Sequence, residues 1–286
     1  MNGDPQMVPR DALSGRRIAI SVSESADLRR LGLSDLHLKS TIAELSRAIV
    51  IAGGIVVYGG AIQQGFTKIV LEETERYGDV TGAFEHIVPY TEHATHSPEE
   101  LADYAASLGV KSTVQLLDAD GAPRSVREVR TVDHVPGELD PATALSAMRT
   151  HTTDIAAARV VVGGKVSGFA GSMPGVAEEA AATLRAAKPL YVAGGFGGAA
   201  TLVGSIVTPD LYRWLPPGLP ADLTREVRQS VESALDLPLA ADGLTDEEQA
   251  LLAATHRPSD IATLVVLGLS RRLGEADMSG QQPRGG

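Results

Sequence analysis

The chain has 286 residues, 43% hydrophobic and 21% charged, enough apolar material for one large α/β domain or two small ones. A formal net charge of −11 and an aromatic share of 4% argue against a nucleic-acid polymer as partner, because Lys and Arg carry phosphate-backbone affinity and base stacking needs aromatic platforms. With no cysteine, disulfides, thiol catalysis and Cys-ligated zinc or iron–sulfur centres are excluded.

In chain order, residues 1–14 are polar, carry Pro5 and Pro9, and read as a disordered tail rather than a signal segment. Arg17 to Val22 predicts the first strand. Leu38, Ile42, Leu45, Ile49 and Ala52 recur at helical spacing until Gly53-Gly54 stop them. Ile55 to Tyr58 is the second strand, ending in Gly59-Gly60, and Phe66 to Tyr77 the next helix. Glu85 to Tyr90 reads as a third strand, and the capping box Ser97-Pro98-Glu99-Glu100 opens a helix to about Leu108. Val114 to Leu117, the Asp120-Gly121 turn and Val126 to Val132 suggest a hairpin-like insertion. Asp140-Pro141 starts a helix through Ile155, and Val160 to Val162 is a buried strand ending in Gly163-Gly164. Pro174 opens a helix to Lys188, Leu190 to Ala193 is a strand, and Gly194 to Gly198 leads into a helix over 199–207. Helices follow at about 222–235, 246–255 and 259–272, and residues 275–286 read as a second disordered tail. Ile261 to Leu269, the longest apolar run, is far short of the roughly 18 residues of a membrane span, so a soluble, cytoplasmic protein with no membrane partner is expected.

Strands alternating with helices predict an α/β protein: a Rossmann-like open, mostly parallel sheet with helices on both faces, plus C-terminal helices. Three of its strands end in paired glycines: Gly59-Gly60, Gly163-Gly164 and Gly194-Gly195. In such sheets ligands bind outside the carboxyl ends of the strands, where glycine lets a phosphate or sugar approach the backbone and leaves N–H groups free to donate. Turn geometry alone also favours glycine, but three pairs in one structural position point to a ligand site. Gly195-x-Gly197-x-x-Ala200 also fits the short dinucleotide fingerprint, yet no acidic residue closes a following strand about 20 residues on. An NAD-dependent oxidoreductase is therefore a distant reading, and the lack of Gly-Lys-Ser/Thr excludes a P-loop.

Taken together these motifs resemble the SLOG superfamily, which includes the LOG-type (lysine decarboxylase-like) phosphoribohydrolases, DprA-like proteins and nucleotide-sensing modules. Val57-Tyr58-Gly59-Gly60 followed by Gln64-Gly65-Phe66-Thr67 is similar to the family's second-strand signature. Met148-Arg149 resembles the segment holding the LOG enzymes' catalytic arginine. Pro174-Gly175-Val176-Ala177-Glu178-Glu179 looks like a reduced form of their Pro-Gly-Gly-x-Gly-Thr-x-x-Glu motif. Val176 and Ala177 stand where those enzymes carry phosphate-cradling residues, and Lys165 to Met173 is an insertion whose Gly168, Gly171 and Ser172 could replace the lost donors.

The resemblance implies a nucleotide-binding domain over residues 15–210, with a helical extension at 211–274 packed on it. It implies a small nucleotide ligand, no cofactor, a homo-oligomer such as a dimer, and possible hydrolysis of the N-glycosidic bond of a nucleoside 5′-monophosphate. The alternative is a non-catalytic sensor of an ADP-ribose-like or other nucleotide signal. Glu178 and Glu179 begin a helix, where a carboxylate is favoured by the macrodipole, and either could stabilise an oxocarbenium-like charge. They lie about 100° apart on a helix, so only one can point straight in, and the motif favours Glu179. Arg149 is the candidate for a bidentate contact to phosphate or acid. Further candidate ligand contacts are Ser21, Ser23, Glu24, Ser25, Gly59, Gly60, Gly65, Gly163, Gly164, Lys165, Pro174, Gly175, Gly194, Gly195, Gly197 and Gly198, with Arg29 and Arg30 as weaker anion candidates. Glu92-His93-x-x-His96 is a histidine cluster that the capping box places in a loop, and no metal site is expected from it.

Overall fold

A computed structural model describes residues 8–62, 64–129 and 140–280. Its centre is a seven-stranded sheet in the order β5-β4-β3-β2-β1-β6-β7. The strands are β1 (Arg17–Ser23), β2 (Ile55–Gly59), β3 (Phe84–Val88), β4 (Ser112–Leu117), β5 (Pro123–Arg124), β6 (Ala158–Gly163) and β7 (Leu190–Ala193). All neighbours pair in parallel except the short edge strand β5, which runs antiparallel to β4. The helices are α1 (Asp35–Ile51), α2 (Gly65–Tyr77), α3 (Tyr90–His93), α4 (Pro98–Ser107), α5 (Val126–Val129), α6 (Pro141–Ile155), α7 (Gly175–Arg185), α8 (Gly198–Val207), α9 (Arg225–Ala234), α10 (Asp246–Ala254) and α11 (Pro258–Gly280).

The central strands are apolar on both faces because helices cover both. Ile18, Ile20, Val22, Val56, Val160 and Val162 pack with α1 and α11 on one side. Val161 packs with α7 and α8, and Ala19, Val57 and Met148 pack together, on the other. The chain lays down β1 to β4 outward on one side of β1, then returns through α6 to place β6 on the opposite side. The strand order therefore reverses between β1 and β6. In open sheets such a reversal is where ligands are received, at the carboxyl ends of the two strands, here flanked by those of β2 and β7.

Several local expectations shift. The segment 112–117 is a full parallel partner of β3, and across the Asp120-Gly121 turn it also forms the expected hairpin, with the short β5 as its second arm. Residues 126–129 are helical, because Ser125 and Glu128 form a capping box: Ser125 N–H donates to Glu128 Oε2 at 2.6 Å and Glu128 N–H to Ser125 Oγ at 3.3 Å. Residues 130–132 of the expected second arm lie outside the described residues, as do 1–7 and 281–286 of the expected tails. Order begins before residue 15, since Leu13 is fully buried and its N–H donates to Ala52 O at 2.8 Å. At the other end α11 continues to Gly280. Within its apolar stretch Ile261, Val265 and Leu269 are fully buried in the core shared with α1. Among the described residues no helix is long and apolar enough to cross a membrane.

Candidate functional site

At the end of β6, Gly163 and Gly164 take positive φ values of 60° and 101°. A Cβ on Gly163 would lie 2.9 Å from Ser23 O, and one on Gly164 would lie 2.9 Å from Val176 Cγ2 and 3.0 Å from Ala199 Cβ. These glycines let β1, α7 and α8 converge on one point. The exposed Lys165 follows, its N–H donating to Ser23 Oγ at 3.2 Å. Across 166–173 the backbone N–H groups have no acceptor among the described residues. The loop then enters α7, where the first helical bond is Glu178 N–H to Pro174 O at 2.9 Å, so the amides of Gly175, Val176 and Ala177 likewise have no acceptor among the described residues. Pro174, at the N-cap, brings no N–H of its own. A run of unengaged amides and a helix N-terminus thus adjoin at one strand end, the chemistry of an anion cradle.

Arg149 lies beneath this loop. Its guanidinium pairs with Glu178 Oε2 in a short charge-assisted contact, and Ser146 Oγ donates to Glu178 Oε1 at 2.5 Å. A Cβ on Gly175 would stand 2.6 Å from Arg149 Nη2, and one on Gly171 3.3 Å from Nη1. Glycine at 175 therefore admits the arginine, whose side chain is only 10% exposed. Glu178 turns toward α6 and Glu179 toward the sheet, as the roughly 100° between them requires. Glu179 Oε1 lies 3.3 Å from Nη1 of Arg159, a residue of β6 that is 1% exposed. The remaining Arg159 donors reach Thr183 Oγ1 at 2.9 Å, Ser21 Oγ at 2.7 Å, and Thr152 and Thr153 Oγ1 at 3.1 and 2.9 Å. Burial lowers the guanidinium's affinity for its proton and Glu179 opposes that. Ser21 is thereby a buried support for Arg159.

At the β2 edge, a Cβ on Gly59 would meet Met148 Sδ at 2.7 Å, and one on Gly60 would meet Tyr58 Cε1 at 2.9 Å. Gly60 O lies 3.1 Å from His86 Nε2, and Tyr104 Oη lies 2.7 Å from His86 Nδ1. A carbonyl can only accept, so Nε2 carries the proton and Nδ1 accepts from the tyrosine. Burial pushes the His86 pKa down to about 4, which keeps this neutral brace in place. Burial, then the neighbouring Glu179 carboxylate, raises the pKa of the Tyr58 phenol. Gly65, at the start of α2, is exposed with open space around it.

The third glycine edge is different. A Cβ on Gly194 would stand 2.5 Å from Ala253 O, and one on Gly195 2.2 Å from Thr255 O. At Gly197 it would stand 2.3 Å from Asp27 Cβ, and at Gly198 2.1 Å from Gly164 O. The N-terminus of α8 already holds an anion: Asp27, 1% exposed, accepts from Gly198 N–H at 2.7 Å and from Ala221 N–H at 2.6 Å. Ser25 is buried and its Oγ accepts from Asp27 N–H at 3.2 Å. Glu24 and Arg29 are exposed, and Arg30 Nη1 donates to Gly218 O at 2.7 Å.

The structure therefore gathers Ser23, Lys165, Pro174, Gly175, Glu178, Glu179 and Arg149 around the carboxyl ends of β1 and β6. It turns Ser21, Ser25 and the Gly194–Gly198 stretch into internal support. Arg159 and Asp27 escape a sequence reading. Arg159 left one signal, a charge within the otherwise apolar strand Ala158–Gly163. Asp27 left none, because its partners lie 171 and 194 residues away. His93 is buried with Nε2 2.6 Å from Leu117 O, and among the described residues no group of His, Asp and Glu could hold a metal. A separate cavity of about 790 Å³ lies between residues 8–10, α1 and α11, at the amino edge of the sheet and away from these groups.

No curated protein matches this sequence. A family model described as SLOG cluster2 matches residues 12–238, from the segment before β1 through α9. This membership supports a nucleotide-binding protein. The chain belongs to the SLOG cluster2 family.

Proposed function

We propose that this chain binds a nucleoside 5′-monophosphate or related ribonucleotide at the carboxyl ends of β1 and β6 and hydrolyses its N-glycosidic bond. The observation that carries this reading is the unengaged amide run at 166–173, continuous with the first turn of α7, which also bears Glu178 and Glu179. The phosphate would sit on those amides with Lys165 as counter-charge, since backbone donors and a helix N-terminus favour an anion. C1′ of the ribose would then face Glu179. Water attacks C1′ as the bond to the base breaks, Glu179 takes the water's proton, and the departing base is protonated from solvent. A fixed carboxylate stabilises the oxocarbenium-like charge that develops between these events.

The second reading, a sensor that binds a nucleotide without cleaving it, has its own support. Arg149 and Glu178 already neutralise each other, so the candidate catalytic arginine is not free to meet a phosphate. The test is incubation of the purified chain with a panel of ribonucleotides, followed by chromatography for released base. Release that disappears in Glu179→Gln supports hydrolysis. Tight binding without release supports the sensor, and neither binding nor release from any nucleotide contradicts both.

A further inference from the structure

Arg159 is the one charged residue of β6, and it points to the face of the sheet that α6 and α7 cover. Its guanidinium has five N–H groups and no acceptor, so every oxygen it meets must accept. Four hydroxyls do so: Thr183 on α7, Ser21 on β1, and Thr152 and Thr153 on α6. The three threonines direct their own protons elsewhere. Thr152 and Thr153 donate to Arg149 O at 3.0 and 2.8 Å, and Thr183 donates to Glu179 O at 2.8 Å. Their lone pairs are therefore left to the arginine, and the carbonyls they hold belong to the two candidate residues Arg149 and Glu179.

The remaining direction belongs to Glu179. Its Oε1 lies 3.3 Å from Nη1, and among the described residues it is the only charge paired with Arg159. The pair has a sealed end and an open end: the arginine side chain is 2% exposed, the glutamate side chain 13%. An aliphatic side chain would fill the same interface with less desolvation than a guanidinium. It could not hold a carboxylate in one place. Arg159 ties both the backbone and the side chain of Glu179 to the sheet, and the same group ties down the turn of α6 that carries Arg149.

We propose that Arg159 is the positioning residue of this site: it fixes the Glu179 carboxylate at the point from which water is activated, and through the threonines it sets the place of that carboxylate relative to Arg149. The role rests on the hydrolytic reading above. Sealed beneath the helices, Arg159 acts through Glu179 and not on the ligand.

The experiment is steady-state kinetics of base release by the full chain and by Arg159→Lys, across AMP, GMP, CMP and UMP. Lysine keeps the charge but lacks the planar fork, so it cannot hold two helices and a carboxylate at once. A misplacement of about 1 Å costs on the order of a hundredfold in rate, so kcat should fall about 100-fold while KM stays within about threefold. Thr183→Val removes the hydroxyl between Arg159 and Glu179 O and should lower kcat about tenfold, whereas Thr183→Ser should restore it. This second pair decides the question if Arg159→Lys does not fold. Wild-type kcat in Arg159→Lys or Thr183→Val, a rise in KM with kcat unchanged, or a loss that Thr183→Ser does not restore overturns the positioning role and leaves hydrolysis standing. Absence of base release by the wild type overturns the hydrolytic reading and this role with it.

Discussion

The loop from Lys165 to Gly175 and the turn from Gly194 to Gly198 are both glycine-rich, both follow a parallel strand, and both lead into a helix. Their physical uses are opposite. Around Gly194–Gly198 every missing Cβ makes room for the protein itself, and the carboxylate of Asp27 occupies the N-terminus of α8. Around 166–173 the amides have no acceptor among the described residues, and a Cβ on Gly168 would meet nothing within 4 Å. Gly168 leaves open backbone, whereas Gly194–Gly198, like Gly171 and Gly175 beside Arg149, serve close packing. A glycine motif thus marks where the backbone is approached closely, without saying by what.

Alanine substitutions should separate the two regions. Gly195→Ala drives a methyl into Thr255 O, backbone that cannot swing aside, and should cost about 3–5 kcal/mol or abolish folding. Gly168→Ala has open space and only its φ of 60° to strain it, so about 1 kcal/mol is expected. Urea unfolding of both variants checks this, and equal losses would break the comparison. Next in size is Asp27→Ala. It strips two buried or partly buried N–H groups of their acceptor, for a loss of roughly 2–4 kcal/mol. The folded variant should bind nucleotide as the wild type does, and a selective loss of affinity would bring Asp27 into the ligand site.

A pH-dependent effect of up to similar size concerns the braced β2 edge. His86 has a folded pKa of about 4 against an ordinary 6.5, so between those values the unfolded chain takes up a proton that the native state refuses. Stability should therefore fall as pH drops from 6.5 to 4, with up to about 3 kcal/mol of that loss due to His86. His86→Gln, which cannot titrate, should flatten the curve in that window. An unchanged slope in urea titrations at stepped pH would show that His86 is not the buried neutral brace described.

The parallel sheet and most helices were legible in the sequence, because runs such as Ile18–Val22 and the stepped apolar residues of α1 can be buried in only one regular way. The Ser125–Glu128 capping box was equally legible, but the apolar letters around it masked it as a strand. The convergence of β1, α7 and α8 was legible through Gly163-Gly164, and the two carboxylates through their place at a helix start. Their division of labour was not. Glu178 meets Arg149 and Ser146 from α6 while Glu179 meets Arg159 from β6, contacts that depend on how α6 and α7 settle on the sheet. Gly194–Gly198 looked like a ligand edge because the occupant of α8's N-terminus, Asp27, lies 171 residues earlier.

The central claim is that the open loop binds the phosphate and the closed turn does not. It is tested most directly by following backbone amide resonances while a nucleoside 5′-monophosphate that binds the chain is titrated in. This account expects the largest shifts at residues 166–173 and 175–177, with Gly195 and Gly198 little moved. Shifts centred on Gly194–Gly198, with the 166–173 amides silent, would contradict it.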